Sequence, residues 1–261
     1  MSAIINIATN AAYAAANVIQ QRNRISKPIN VTKKGGLNDL VTDFDKKAEE
    51  VIIETIKKAY PTHNILGEES GCEDNKSDFT WIIDPIDGTT NFIHGHPQYC
   101  ISIALREKNQ ITNAVILDPN RNDLYKAMLG KGAYLNDKRL RVSKVNYLED
   151  ALIATGFPSY DLSFLDKYLA IFKDMLKHTS GHRRCGSAAL DLAFVAAGYV
   201  DGFWEFNLKP WDIAAGVLLV KEAGGITHDF LDTQNFWENG NVIAGNPKIA
   251  AELLKIIRHH I

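Results

Sequence analysis

The strongest structural signal in the sequence is the stretch Trp81-Ile82-Ile83-Asp84-Pro85-Ile86-Asp87-Gly88-Thr89-Thr90-Asn91-Phe92. Its apolar first half is typical of a buried strand, which we expect to end at Asp84, before a proline turn and a second carboxylate, Asp87. Gly88 and the two threonines then predict a short helix, whose first N–H groups are unpaired and can bind a phosphate. Carboxylates are preferred ligands of hard divalent cations, so the stretch indicates a site for Mg2+ and phosphate. On its own, however, an Asp-x-x-Asp pair more often caps the turn and helix that follow.

Two further segments place acidic residues beside predicted turns or helix starts. Glu68 and Glu69 follow an apolar run, and Asp212 opens a predicted helix. Each has a plain structural alternative, a solvated turn for the first pair and a helix N-cap for Asp212. If these acids converged with the two in the stretch 81–92, each like-charge pair would cost about 3 kcal/mol at roughly 5 Å and an effective dielectric near 20. Convergence would therefore imply bound cations, although spacing in the sequence does not establish it.

The composition is that of a globular protein and argues against several classes. The chain has 261 residues, 46% of them hydrophobic, with 29 basic and 31 acidic side chains for a net charge of -2. Without a long basic run, binding to nucleic acid through its phosphates is not expected. Cys72, Cys100 and Cys185 lack the close Cys/His pairs of structural zinc and fit reduced thiols in a cytosol. No stretch approaches the roughly 18 apolar residues of a membrane span, and residues 3–19 predict an amphipathic helix rather than an export signal. We therefore expect a cytoplasmic protein.

The pattern of predicted elements changes near residue 146, where we place a domain boundary. Residues 1–146 predict an α+β half that carries most of the acidic residues, with helices over 3–19 and 43–59 and strands over 63–67, 81–84, 99–106, 111–118, 125–129 and 133–135. Residues 147–261 predict an α/β half that carries Asp212, with helices over 162–177, 187–197 and 212–223 and strands over 151–155, 199–206, 226–230 and 241–244. The whole chain is therefore predicted to be α+β.

Taken together, these motifs resemble those of the inositol monophosphatase family of Mg2+-dependent, Li+-inhibited phosphatases. The matching segments come in the family's order and span most of the chain: Asp39-Leu40-Val41-Thr42-x-x-Asp45, Gly67-Glu68-Glu69-Ser70, the stretch 81–92, and Trp211-Asp212-x-Ala214-x-Gly216 before Gly224-Gly225. The match to its bacterial branch, the extragenic-suppressor type, is carried by Ala154-Thr155-Gly156-Phe157-Pro158 and Arg183-Arg184-x-Gly186-Ser187-Ala188-Ala189-Leu190-Asp191-Leu192. The resemblance implies a layered αβαβα sandwich.

The resemblance also implies roles for individual residues around two or three Mg2+ ions per subunit. The first metal would be held by Glu68, Asp84 and the backbone carbonyl of Ile86, the second by Asp84, Asp87 and Asp212, and Glu69 would lie near a weaker third site. The residues that orient the attacking water would be Lys34, Asp45 and Thr89, and the catalytic set would be Asp45, Thr89 and Glu68. Substrate would be bound by Gly88, Thr89, Ala188, Glu205 and Asp212.

The expected activity is hydrolysis of myo-inositol 1-phosphate and related polyol or sugar monophosphates by a metal-activated water, in a cytoplasmic homodimer. A related alternative is a phosphatase for 3'-phosphoadenosine 5'-phosphate or fructose 1,6-bisphosphate. A different alternative, implied by the bacterial branch, is a partner of RNA polymerase and Nus factors in transcription antitermination and ribosomal RNA maturation, with the phosphatase activity dispensable. Arg183 and Arg184 could bind substrate, lie in a dimer interface or contact another protein, and the sequence does not decide between these roles.

Overall fold

The computed structural model of the protein describes residues 3–24, 30–33, 40–157 and 162–261. The α-helices in these residues are Ala3–Gln20 (α1), Asp43–Ala59 (α2), Thr89–His94 (α3), Leu165–His178 (α4), Ala188–Ala197 (α5), Pro210–Glu222 (α6), Phe236–Asn239 (α7) and Pro247–Arg258 (α8). Short 3-10 turns cover Gln21–Arg24, Leu148–Asp150 and Leu162–Phe164. In the described ranges, no helix is both long enough and apolar enough to span a membrane.

The strands of the first half are Val31–Lys33 (β1), Leu40–Thr42 (β2), Asn64–Gly67 (β3), Gly71–Glu73 (β4), Phe79–Asp87 (β5), Cys100–Glu107 (β6), Gln110–Asp118 (β7), Asp123–Met128 (β8), Gly132–Leu135 (β9) and Lys138–Arg139 (β10). The strands of the second half are Leu152–Thr155 (β11), Gly181–Arg183 (β12), Gly202–Glu205 (β13), Ile226–His228 (β14) and Val242–Gly245 (β15). Strands β1 and β2 form a separate antiparallel pair.

Two larger sheets form the body of the protein. The first has eight strands in the order β10-β9-β8-β7-β6-β5-β3-β4, and all of its neighbours are antiparallel except β3 and β5. The second has five strands in the order β12-β11-β13-β15-β14, with β11 parallel to both of its neighbours. The two sheets fall on either side of residue 146, but the domain boundary itself stays a prediction.

The sheets and helices stack in five layers. Helices α1 and α2 cover the outer face of the eight-stranded sheet, α5 and α6 lie between the two sheets, and α4 and α8 cover the outer face of the five-stranded sheet. Alternation along the strands directs the side chains: Trp81 and Ile83 pack against α1 and α2, whereas Ile82 packs toward α5 and α6. This is the αβαβα sandwich that the resemblance implied, and the α+β prediction is confirmed.

Two local predictions were wrong in ways that matter for the acidic residues. The strand expected to end at Asp84 continues as β5 to Asp87, with a register shift against β6 between the two aspartates. Such an irregularity re-aims side chains, which here lets both carboxylates leave the sheet on the same side as the cleft described below. Helix α6 begins at Pro210 rather than Asp212, so Asp212 is the third helical residue and not the N-cap.

Candidate active site

A cleft of about 680 Å³ brings together most of the acidic and glycine-rich motifs. The sequence-predicted residues that line it are Glu68, Asp84, Ile86, Asp87, Gly88, Thr89, Ala188, Glu205 and Asp212. Arg184, one of the two arginines without an assigned role, lines it as well, whereas Arg183, at the end of β12, does not. The convergence that spacing left open is therefore present in the fold.

The two aspartates of β5 occupy the buried floor of this cleft. Asp84 is 2% exposed, and its Oδ1 accepts a hydrogen bond from the N–H of Ile86 at 3.0 Å. Burial raises the pKa of Asp84 well above its usual value, and the charges on Glu68, Asp87 and Asp212 raise it further. An ionised Asp84 is therefore costly unless a positive charge lies beside it.

Asp87 links the two halves of the chain. Its Oδ2 accepts hydrogen bonds from the Ser187 hydroxyl at 2.6 Å and from the N–H of Ala189, in the first turn of α5, at 2.7 Å. Burial raises the pKa of Asp87, and these hydrogen bonds partly offset the effect because they stabilise the carboxylate. The N-terminal positive end of α5 acts in the same direction.

The other two acids reach the cleft from separate elements. Asp212 stands in the first turn of α6, where its Oδ2 accepts the N–H of Lys209 at 2.7 Å. Burial raises the pKa of Asp212 well above its usual value, and the charge on Asp87 adds to the effect. Glu68 lies in the turn between β3 and β4, and its N–H donates to the Ile83 carbonyl of β5 at 3.2 Å.

Asp45 and Thr89 form a hydrogen-bonded pair at the edge of the cleft. Asp45 Oδ2 accepts from the N–H and the hydroxyl of Thr42, at 2.7 and 2.6 Å, in the capping box that starts α2. Thr89 Oγ1 lies 3.1 Å from both Asp45 Oδ1 and the Ile86 carbonyl oxygen, so its single hydrogen can go to either. Burial raises the pKa of Asp45, against the opposing effect of its hydrogen bonds.

The start of α3 provides the backbone that the sequence predicted for phosphate. Its N-cap, Gly88, has φ of 101°, a left-handed conformation that side chains other than glycine rarely adopt. A Cβ there would also lie 3.0 Å from the Gln98 carbonyl oxygen and 3.1 Å from that of Gly186. Only glycine therefore fits where the chain turns from β5 into α3, and N–H groups at the start of this helix can face an anion in the cleft.

The donor set fits a hard divalent cation in its chemistry. Buried carboxylates that raise one another's pKa, next to the carbonyl of Ile86, are oxygen ligands of the kind that Mg2+ binds, and a cation would relieve their repulsion. Across the described part of the chain, no group of three or more His, Cys, Asp or Glu side chains is already arranged to hold a metal ion.

The opposite end of the cleft contains residues that the sequence pattern did not single out. Phe157 and Asp191 line it together with Glu205, and the Arg184 guanidinium lies 4.8 Å from the centre of the Phe157 ring. The side chain of Glu205 fills the space where Gly156 lacks a Cβ, since a Cβ there would lie 1.9 Å from Glu205 Oε1. Burial, together with the charge on Asp191, raises the pKa of Glu205 well above its usual value. In the sequence, Gly156, Phe157 and Asp191 are marked only as parts of the bacterial-branch motifs, without a predicted role.

Of two further predicted residues, one lies outside the described part of the chain and the other does not line the cleft. Lys34 lies outside the described residues, so its proposed role stays a prediction. Glu69 is half-buried in the same turn as Glu68, and its N–H donates to Glu49 Oε2 at 3.0 Å.

Comparisons with known proteins agree with this geometry. The model of the family described as the inositol monophosphatase family matches residues 1–261. The chain is 47% identical over 262 residues to the Nus factor SuhB of Escherichia coli strain K12, covering 100% of this chain and 98% of that protein. The crystal structure of extragenic suppressor protein suhB from Bartonella henselae superposes with a TM-score of 0.96 at 41% identity, covering 100% of both chains. The structure of inositol monophosphatase from Anabaena (Nostoc) sp. PCC 7120 superposes with a TM-score of 0.85 at 36% identity, covering 99% of this chain and 96% of that one.

Proposed function

The chain belongs to the inositol monophosphatase family, and we propose that it is a Mg2+-dependent phosphatase that hydrolyses myo-inositol 1-phosphate and related polyol or sugar monophosphates. The observation that carries the proposal is the convergence of four carboxylates, from three separate segments, beside the glycine-started helix α3. Together these features offer ligands for cations and N–H groups for a phosphate within one cleft.

The proposed metal ligands are those that the family resemblance implies, and apart from Glu69 they all line the cleft. Glu68, Asp84 and the Ile86 carbonyl would hold one Mg2+, and Asp84 with Asp87 and Asp212 a second. Glu69, in the same turn as Glu68, would lie near a weaker third site. When bound, these cations supply Lewis-acid catalysis: they make water more acidic and neutralise the charge that develops on phosphate and leaving oxygen. The carboxylates of the chain fix where that positive charge lies relative to the start of α3.

The remaining residues bind and orient the reactants. N–H groups of Gly88 and Thr89 would hold the phosphate oxygens. When Thr89 donates its hydroxyl hydrogen to Asp45, its oxygen lone pairs are left to accept a hydrogen from water and to orient that water toward phosphorus. Asp45 in turn is fixed by its two hydrogen bonds from Thr42. Ala188, Glu205 and Asp212 would contact the alcohol part of the substrate.

The direct test is phosphate release from myo-inositol 1-phosphate with Mg2+, with EDTA and with added Li+. We expect turnover with Mg2+, loss in EDTA and inhibition by Li+. A parallel assay with 3'-phosphoadenosine 5'-phosphate and fructose 1,6-bisphosphate distinguishes the related alternatives, and purified Asp84→Asn serves as the control for contaminating phosphatases. Full turnover in EDTA would contradict the metal-dependent mechanism, and preference for a nucleotide or bisphosphate would reassign the substrate.

A second function is favoured by the name of a close relative, since the Escherichia coli protein is called a Nus factor. We propose that this chain also contacts RNA polymerase and Nus factors in transcription antitermination and ribosomal RNA maturation. Capture of RNA polymerase by tagged wild-type and Asp84→Asn proteins separates the two roles. Asp84 is preferable to Asp87 for this variant because Asp87 also accepts hydrogen bonds from Ser187 and Ala189. Equal capture by both proteins would make the role independent of hydrolysis, and no capture by either would contradict it.

We further propose that the protein acts in the cytoplasm as a homodimer. Sedimentation equilibrium of the wild-type protein tests the dimer, and replacement of Arg183 and Arg184 by alanine in separate variants tests whether either arginine contributes to the interface. Weaker dimerisation in one variant would assign that arginine to the interface. Reduced turnover by an unchanged dimer would place Arg184 with the substrate, as its position in the cleft suggests.

A further inference from the structure

A buried glutamate on α2 contacts the turn that carries Glu68. Glu49 is 2% exposed, although glutamate is rarely buried without partners. Both of its carboxylate oxygens accept backbone hydrogen bonds: Oε2 from the N–H of Glu69 at 3.0 Å and Oε1 from the N–H of Ser70 at 2.7 Å. One carboxylate therefore holds two successive residues of the turn that follows β3.

The packing at Gly67 shows how closely the turn lies against this carboxylate. A Cβ at Gly67 would be 2.7 Å from the Cδ and from both oxygens of Glu49. Real Cβ atoms do not approach other atoms so closely, so the contact requires glycine just before Glu68. The carboxylate of Glu49 thus occupies the space that a side chain at position 67 would need.

Glu68 is held between this contact and the sheet. On one side its neighbours Gly67, Glu69 and Ser70 touch Glu49, and on the other its own N–H donates to the Ile83 carbonyl of β5 at 3.2 Å. The turn is closed by the pairing of Gly67 with Gly71 in the β3–β4 hairpin. The backbone of Glu68 is therefore fixed relative to the strand that carries Asp84 and Asp87.

Helix α2 carries a second buried carboxylate one helical turn before Glu49. Asp45 lies four residues earlier, on the same face of the helix, and accepts a hydrogen bond from Thr89. The same rigid helix thus fixes both the turn of Glu68 and the start of α3. Ala48, Ile52 and Ile56 anchor this helix in the core against α1 and the eight-stranded sheet.

We propose that Glu49 is a positioning residue that holds Glu68 in the geometry needed to bind a divalent cation. The inference rests on the proposed metal site of the cleft. Groups that orient metal ligands from outside the coordination sphere typically change metal affinity by about 10- to 100-fold when they are altered. Glu49 should therefore affect the Mg2+ concentration that the protein requires much more than the chemical step at saturating Mg2+.

The test compares Glu49→Gln with Glu50→Gln, its exposed neighbour on α2. Glutamine keeps the size of the side chain but turns an NH2 group toward a backbone N–H of the turn, because one acceptor is lost. Two quantities are measured for each protein: the rise in melting temperature as Mg2+ is added, and phosphate release as a function of Mg2+. We expect Glu49→Gln to need at least about tenfold more Mg2+ for half of each effect, with kcat at saturating Mg2+ within about threefold of wild type. Glu50→Gln should match wild type.

A second variant disturbs the same contact by changing the turn instead of Glu49. Gly67→Ala leaves Glu49 intact but places a methyl group where the carboxylate lies, so it should raise the Mg2+ requirement as well. A merely structural role would lower the melting temperature of metal-free protein without changing the Mg2+ dependence. That result in either variant that folds would overturn the proposal, so one variant still serves as the test if the other folds poorly.

The melting-temperature measurement separates this inference from the proposed reaction. If wild-type protein is stabilised by Mg2+ but releases no phosphate, the proposed activity fails, and a weaker Mg2+ response of Glu49→Gln still supports the role of Glu49. If wild type, Glu49→Gln and Glu50→Gln respond equally to Mg2+, Glu49 does not position a metal ligand. Absence of any Mg2+ response in wild type would overturn the inference together with the metal site.

Discussion

The two ends of the cleft are built differently. At the end formed by Glu68, Asp84, Asp87, Asp212 and Thr89, which we call the phosphate end, Asp84 and Asp212 accept backbone hydrogen bonds from residues two or three positions away, and Asp87 accepts from Ser187 and Ala189. At the end formed by Gly156, Phe157, Arg184, Asp191 and Glu205, the alcohol end, contacts come from residues far apart in the sequence. Asp84 and Asp212 are thus held by their neighbours in the sequence, whereas Asp87 and the alcohol end depend on how α5 packs against the two sheets.

The contrast suggests a division of labour between the ends. The acids of the phosphate end raise one another's pKa, and bound cations would relieve this repulsion at the place where any monoester needs the same contacts. The alcohol end combines an aromatic ring, a cation and buried carboxyl groups, which together shape the space for the group that carries the phosphate. Mutations at the first end should therefore affect turnover of every substrate, and those at the second should affect selectivity.

The largest effect should come from Asp84→Asn at the phosphate end. Loss of a carboxylate shared by both proposed metal sites should reduce phosphate release by on the order of 10²- to 10³-fold, because a charge positioned for the transition state is removed. Without metal, the melting temperature should rise, since a neutral amide no longer repels Glu68, Asp87 and Asp212. Phosphate release and calorimetry in EDTA measure the two effects. Asp166→Asn, which alters an exposed residue of α4, is the control. Wild-type activity of Asp84→Asn would show that Asp84 is not required for catalysis.

Asp212→Asn should give a smaller loss of activity, on the order of 10²-fold, because it affects one of the two proposed metals. The amide oxygen can still accept the N–H of Lys209, so the start of α6 should be preserved. Without metal, the melting temperature should rise, because a neutral amide no longer repels Asp87 and Glu68. Asp212→Ala removes the acceptor too, and should cost about 1 kcal/mol of stability in addition. Turnover and thermal unfolding of both variants give the comparison. Near wild-type turnover of Asp212→Asn would mean that Asp212 serves only to cap the helix.

At the alcohol end, Gly156→Ala should displace Glu205 without touching the phosphate end. The added methyl group would overlap Glu205 Oε1, so KM for myo-inositol 1-phosphate should rise about tenfold, equivalent to about 1.4 kcal/mol of binding. Hydrolysis of p-nitrophenyl phosphate, which lacks the polyol, should change much less. Gly181→Ala is a matched control, because a Cβ there would lie no closer than 3.5 Å to any neighbour. Equal losses on both substrates would show that the two ends are not independent.

The same division explains which features could be predicted from the sequence. The start of α2 and the apolar strand before Asp84 follow from hydrophobic periodicity and capping residues, which act over a few positions. The five-layer fold was reached through resemblance to a family, because the pairing of β3 parallel to β5 leaves no local pattern. The continuation of β5 to Asp87 was missed because proline and two acids usually end a strand, whereas the fold accommodates them at an irregularity against β6.

Within the candidate site, the residues that bear charge were predictable and those that hold them were not. Asp84, Asp87 and Asp212 stand in recognisable motifs, but their convergence depends on contacts between distant residues, such as Ser187 with Asp87, 100 positions apart. Glu49 gave no signal in the sequence, because a glutamate on an amphipathic helix is expected to be solvated. Its contact with the turn of Glu68 depends on how α2 packs in the folded protein.

The smallest effect concerns Asp191, the buried acid of the alcohol end. Its Oδ1 is buried and has no hydrogen-bond partner among the residues that the structure describes. Burial raises the pKa of Asp191 well above its usual value, the charge on Asp87 adds to this, and Arg184 opposes it. As the pH rises above the pKa of about 3.9 of an unfolded aspartate, the unfolded chain releases a proton that the folded protein keeps, so stability is lost with increasing pH until the folded group also ionises.

Asp191→Asn removes this linkage, so its effect should change with pH. We expect the variant to be more stable than wild type by about 1 kcal/mol at pH 8, with a smaller gain at pH 5. The gain is smaller at pH 5 because the loss of stability that the buried Asp191 causes in wild type grows with pH and is not complete there. Melting temperatures of metal-free protein at the two pH values measure the difference, and Asp166→Asn should show none. A loss of stability that grows toward pH 8 would mean that the folded protein stabilises the Asp191 carboxylate, most directly through Arg184. In that case the alcohol end, like the phosphate end, would be organised around a fixed negative charge.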